Sequence, residues 1–382
     1  MSTEEIKPED NKNVSGKTGA LRVVFDSAKA KVETWKETAC FSIIAFAAVA
    51  GLAAIGWSYL HGPGWEDRVW IFRRGSKVEA VVPAAIIPTM RRALDGVRVT
   101  EGTPEPDYIA VMIDNIAEAL PQSSVAKAPL VIEAPVEGGL TRLMVVFPSN
   151  AAFTQLGPVR SARPYYIDWA EEFGALYVHV GGSPAALEKL KSAEVRDLNE
   201  FFAGRFFWRD GKRYAPHNAY VSSVTLADAM RTRPRTAKPL SPWKYKDDEP
   251  LVERPAEILE VALGEQGKWR VRWRYDRETN AFARILASGP QLDDDGQAVL
   301  AKNVLVQFAK VKVLDDIGRR SIDTVSGGDA SVIMDGRIIG GTWKYDRSSA
   351  RTLFYDAAGN ELALNAGITW VEVVPIGTPI TH

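Results

Sequence analysis

One apolar run dominates the hydropathy pattern. Thr38 to Leu60 reads TACFSIIAFAAVAGLAAIGWSYL, without an Asp, Glu, Lys or Arg. As a helix it would reach about 34 Å at ~1.5 Å per residue, enough to cross a hydrocarbon layer of roughly 30 Å. Trp35 precedes the run, and Trp57, Tyr59 and Trp65 close it. Aromatic rings favour both membrane–water interfaces. A cleaved signal peptide would hold a shorter apolar core nearer the N-terminus. Residues 1–37 are mostly polar, so the pattern predicts an uncleaved transmembrane helix over 38–60. Residues 1–16 lack large apolar groups and predict disorder. Leu21, Val24, Ala28 and Val32 recur at helical spacing and extend the helix inward. Arg22, Lys29, Lys31 and Lys36 flank it on one side; Arg68, Arg73 and Arg74 flank it on the other. That small excess places the tail 1–37 in the cytoplasm and residues 65–382 outside.

Beyond the anchor, the polarity period changes twice. Residues 61–104 are a mixed lead-in, broken by Pro83 and Pro88. Over 105–231, buried-strand runs (Tyr108–Ile113, Leu130–Glu133, Leu143–Phe147, Ala175–Val180) alternate with helices. Pro164–Glu172 and Pro184–Ser192 each open on proline at the first helical position. Leu226–Arg231 reads as the closing helix. Residues 232–254 are rich in Pro and charge, a linker signal. From 255 to 376 the period is two, most clearly in Trp269–Tyr275, where rings or Val alternate with Arg. Further strands are predicted at Val304–Val313, Ser331–Met334, Thr342–Tyr345, Thr352–Tyr355 and Thr369–Val374, with turns at Asp335-Gly336 and Gly359-Asn360. The predicted architecture is α+β: a transmembrane helix, an α/β domain, a mainly antiparallel β domain and a short tail, 377–382.

Composition narrows the class of function. The net charge of −1 supplies no global field toward nucleic acid, so no such partner is expected. The single cysteine, Cys40, lies inside the apolar run, which excludes an internal disulfide and a thiolate metal cluster. The residues before Cys40 are too polar for a lipidation signal. No cofactor and no metal site are expected; HExxH, P-loop, GxGxxG and GxSxG patterns are absent.

Four constellations are candidates for chemistry. Arg160 and Arg163 in GPVRSARP stand before a helix start, where two guanidinium forks would hold a carboxylate or phosphate; Asp168, Glu171 and Glu172 are their alternative partners. In VHVGGSP, Ser183 suits an N-cap, Gly181 and Gly182 would admit a ligand to the backbone, and His179 would carry a proton. Glu133 and Glu137 lie about 13 Å apart if their strand is unbroken, too far for direct pairing. Asp114 and Asn115 sit at a strand end. His217 and Asn218 occupy a loop after Phe206-Phe207-Trp208.

IAVMIDN (109–115), LPQSSVAKAPLVIEAPVEGGLTRL (120–143), GPVRSARPYYIDWAEEFGALYVHVGGSP (157–184), APHNAYVS (215–222), LAKNVLVQF (300–308), GTWKYD (341–346) and LNAGITWVEVVP (364–375) carry a family signal. At these segments the chain resembles the YerB-type family of bacterial lipoproteins, whose two parts have no assigned function. The resemblance implies an extracytoplasmic protein held to the membrane, here by a helix in place of a lipid. It implies no activity; the motif positions are Asn115, Glu133, Glu137, Arg160, Arg163, Asp168, His179 and His217. The leading expectation is a binding or scaffold protein of the cell envelope. It would be tethered to the bilayer through Thr38–Leu60 and would recognise an anionic cell-wall polymer or an envelope protein. The ligand-binding set is Asn115, Arg160, Arg163, Asp168, Gly181, Gly182, Ser183 and Asn218. The alternative is a glycan or peptide hydrolase using Glu133 or Glu137 with His179 or His217.

Overall fold

The computed structural model describes residues 88–234, 240–254, 260–263 and 271–382. The run Thr38–Leu60, the tail before it and most of the lead-in lie outside the described residues. Among the described residues, no helix is long and apolar enough to cross a membrane.

The first half supplies β1 (Tyr108–Asp114), β2 (Leu130–Pro135), β3 (Thr141–Pro148), β4 (Leu176–His179) and β5 (Arg196–Asn199). The helices there are α1 (Pro164–Glu172), α2 (Pro184–Leu190), α3 (Glu200–Ala203) and α4 (Ser223–Arg231). The second half supplies β6 (Glu260–Leu263), β7 (Val271–Asp276) and β8 (Ala281–Leu286), then β9 (Asn303–Ala309), β10 (Gly327–Met334), β11 (Arg337–Asp346), β12 (Arg351–Asp356) and β13 (Thr369–Pro375). Ten of these strands make one sheet, in the order β12-β11-β10-β9-β13-β2-β3-β1-β4-β5. The expected α/β and β segments therefore share one sheet. The seam is β13, which pairs in parallel with β9 on one side and β2 on the other.

The second half is mainly antiparallel, as expected, and the seam is an exception, since β13 is parallel to both neighbours. Val371 and Val373 face one core, Trp370 the other. A strand apolar on both faces belongs inside a covered sheet. The expected strand Val304–Val313 also divides. After β9 the chain leaves the sheet, and Val311–Val313 pairs with Arg320–Ile322 in a hairpin. The described part of the expected linker is packed, with Trp243 buried and its indole N–H donated to Thr352 O at 2.7 Å.

Two apolar layers cover the sheet. One contains Met112, Ile132, Met144, Leu305 and Val332 with α1 residues Tyr165, Tyr166, Ile167 and Trp169. The other contains Val111, Val131, Val145, Val178 and Val304 with Leu226 of α4 and Trp273, Tyr275 and Phe282 of β7 and β8, which pair with each other outside that sheet. The helix α1 begins at Pro164, whose missing N–H costs nothing there. It ends before Gly174 (φ +55°), and Ala175 N–H returns to Ala170 O at 3.0 Å.

Candidate functional site

Strands β1, β2, β4, β5, β9 and β13 run the same way. The carboxyl ends of β1, β2 and β4 and the start of β3 meet at one edge, where open α/β sheets bind ligands. An extended segment crosses that edge. Asp114 N–H donates to Pro158 O, Arg160 N–H to Met112 O, Val180 N–H to Arg160 O and Ala162 N–H to Gly181 O, all at 2.9–3.0 Å. The ladder holds the Arg160–Arg163 stretch across the ends of β1 and β4.

On the helix-covered face, three arginines converge. Arg142 is the register partner of Asp114 across β3 and β1, and shares the face of Met144. It donates through Nη1 to Ser161 O at 2.8 Å, between Arg160 and Arg163. Arg160 Nε lies 2.9 Å from Asp114 Oδ2, an ionic contact in which the N–H is not aimed at the oxygen. Arg163 grips Glu137 with two bonds of 2.6 Å. Burial pushes the Glu137 carboxyl up, but the Arg163 bonds and charge outweigh it and leave it below the usual range. Arg142 is only 6% exposed, and its Nε has no partner. Burial, then the neighbouring charges of Arg163 and Arg160, lower its pKa to about 10. Among the described residues, no hydrogen-bond acceptor meets Arg142 Nη2 or either Nη of Arg160. His217 closes the cluster, its Nδ1 2.6 Å from Asp114 Oδ2.

On the opposite face, a second polar group forms a ring that leaves Arg284 Nε buried without an acceptor. Glu133 Oε1 accepts from Asn115 Nδ2 at 2.9 Å and Thr141 Oγ1 at 2.6 Å, and its Oε2 from Arg284 Nη2 at 2.8 Å. Arg284 donates also to Gln291, Gln291 to Gln122 at 2.7 Å, and Gln122 to Asn115 Oδ1 at 3.1 Å, completing a ring. Glu372 of β13 faces Glu133 in register. Burial first, and the Glu133 charge second, raise the Glu372 carboxyl well above its ordinary range. Trp273 N–H donates to it at 3.1 Å. This network joins the two halves of the chain.

The expected residues thus separate. Asp114, Glu137, Arg160, Arg163 and His217 come together; Glu133 and Asn115 lie across the sheet from them. His179 is fully buried, with Nδ1 on Gly181 O at 2.7 Å and Nε2 on Asp197 Oδ1 at 2.6 Å, so neither nitrogen is left for a substrate. Gly181 (φ +60°) donates its N–H to Asn199 Oδ1, and a Cβ there would lie 2.8 Å from the Phe201 ring. At Gly182 a Cβ would press Leu187 and Ala162, so both glycines serve close packing. Ser183 Oγ caps α2 by accepting from Ala186 N–H. Asp168 pairs with Lys189 and accepts from Thr324 at 2.9 Å. Asn218 accepts from Arg209 at 3.0 Å.

A cavity of about 990 Å³ lies elsewhere, lined by Asp168, Glu171, Glu172 and Glu194 among others. Three of these acids are engaged: Asp168 as above, Glu172 by Arg351 and Thr352, and Glu171 by the Glu194 N–H. Size alone does not make it the site; the sheet edge, unlike this cavity, gathers three arginines around two carboxylates. Among the described residues, no cluster of His, Cys, Asp or Glu is placed to hold a metal ion. Sequence reasoning missed Arg142, Arg284, Gln291 and Glu372. Arg142 and Glu372 did leave a trace: each is a charge at a core-facing position of an apolar strand.

Comparisons with known proteins agree with this two-part organisation. Residues 94–236 match the family described as "Protein of unknown function (DUF3048) N-terminal domain", and residues 259–371 match its C-terminal domain. The chain belongs to this family. It is 29% identical over 290 residues to the Bacillus subtilis (strain 168) protein named "Putative lipoprotein YerB", covering 75% of this chain and 86% of that protein. The crystal structure of the YerB protein superposes with a TM-score of 0.68 at 28% identity, covering 77% of this chain and 100% of that one.

Proposed function

We propose that this protein is a membrane-tethered, extracytoplasmic binding module of the bacterial cell envelope that recognises an anionic group at the Arg142–Arg160–Arg163 edge. The lipoprotein name of the Bacillus relative and the apolar run Thr38–Leu60 support the location. The convergence of Arg142, Arg160 and Arg163 on two carboxylates, with Arg142 buried and its Nε unpartnered, carries the binding reading. A buried cation without a full set of acceptors costs free energy that an arriving anion returns as affinity. Glycan or peptide hydrolysis through Glu133 and Glu137 draws less support, because these carboxylates sit on opposite faces and each is neutralised by its own arginine.

The test is equilibrium binding of inorganic phosphate and of acetate to the full-length protein in detergent. Arg142→Gln combined with Arg160→Gln should weaken binding at least tenfold. Equal binding by wild type and double variant, or none by either, would remove the reading.

A further inference from the structure

A single oxygen organises the open edge. Asp114 Oδ2 meets His217 Nδ1 at 2.6 Å and Arg160 Nε at 2.9 Å, so the two nitrogens are within about 5.5 Å of each other. Asp114 is 1% exposed. A carboxylate accepts, so the proton of a neutral His217 ring is assigned to Nδ1 and the lone pair to Nε2. Nε2 has no hydrogen-bond partner among the described residues, and the side chain is 18% exposed. A buried carboxylate orienting a histidine whose second nitrogen is free, beside donors for an anion, is a general-base arrangement.

We propose that His217 is the general base of a phosphodiesterase whose phosphodiester substrate is held by Arg142 and Arg160. This rests on the anion-binding reading above. Three arginines (142, 160, 163) face two carboxylates (Asp114, Glu137), which leaves one positive charge for a monoanion. A bound carboxylate would be inert here, because its carbon resists a base-activated hydroxyl. A phosphodiester is a monoanion that also carries a leaving group. His217 Nε2 takes a proton from water as its oxygen bonds to phosphorus. The P–O bond to the leaving alkoxide breaks on the far side of phosphorus, the alkoxide takes a proton from solvent, and His217 returns its own proton to solvent. Water and diester become a phosphate monoester and an alcohol, with no redox change. Arg142 and Arg160 steady the charge on the two non-bridging oxygens.

The experiment follows release of 4-nitrophenolate from bis(4-nitrophenyl) phosphate by the full-length protein in detergent, from about pH 5 to about pH 9, with inorganic phosphate binding measured in parallel. His217→Gln should lower turnover at least a hundredfold while phosphate binding changes by less than about threefold. Asp114→Asn should lower turnover about tenfold or more, because it frees the ring to take the wrong tautomer. Phosphate binding without turnover by wild type overturns the phosphodiesterase and leaves the binding module standing; loss of both overturns both. Turnover in His217→Gln within threefold of wild type, or hydrolysis of 4-nitrophenyl acetate alone, also overturns it.

Discussion

The two faces of the sheet edge use the same residue types to opposite ends. On the Glu133 face, carboxylate and arginine pair within a ring of amides, and Arg284 Nε is left without an acceptor. On the Asp114 face, arginines outnumber the carboxylates and several guanidinium N–H groups have no acceptor. Burial is comparable: Arg284 is 2% exposed and Arg142 6%. What separates them is charge balance: one arginine meets one carboxylate on the Glu133 face, and three meet two on the Asp114 face. A charge-balanced buried network holds structure together, whereas an unbalanced one is maintained at a cost that invites a ligand.

Arg284→Met gives the strongest test of that contrast. It leaves Glu133 charged and unpaired, and should cost about 3–5 kcal/mol in urea unfolding. Adding Glu133→Leu should recover most of the loss; if the double variant is as unstable as the single, the ring is not a self-contained ion pair. Next in size is Asp293, on the loop that docks beside Gln291. Burial raises its pKa to about 6 from 3.8, and its Oδ1 lacks a partner. The folded state therefore binds a proton more tightly than the unfolded chain. Its contribution is fully present below about pH 4 and lost as pH rises to about 6, roughly 3 kcal/mol in all. Asp293→Asn should flatten stability between those limits; an unchanged pH profile would contradict it. The smallest stability effect is expected at Arg142→Met, within about 1 kcal/mol of wild type or more stable, with phosphate binding lost. A loss above about 3 kcal/mol would place Arg142 with the charge-balanced network instead.

Local chemistry made the elements legible. The α1 boundaries, Pro164 and Glu172, followed from proline at the first helical position and an amphipathic run. β1 followed from an unbroken apolar run. The partnership of β13 with β2 did not, because it pairs Thr369 with Leu130 and nothing local encodes that distance. The same limit hid the site. Arg160 and Arg163 stood out in one motif, but Asp114 and His217 are brought together only by the fold. Glu133 and Glu137 share a parity in an extended strand, yet Glu137 lies in the turn after β2, where Gly138 (φ +67°) and Gly139 (φ +74°) redirect the chain. The glycine pair 181–182, read as room for a ligand, is filled by Phe201 and Leu187.

The position of β13 bears on biosynthesis. The strand at the middle of the great sheet leaves the ribosome after both of its partners, β2 and β9. Until it arrives, β2 and β9 each present an unpaired edge, open to aggregation or to a chaperone. A chain cut short before Thr369 would thus lack its keystone rather than a dispensable tail, and quality control could recognise it by that gap.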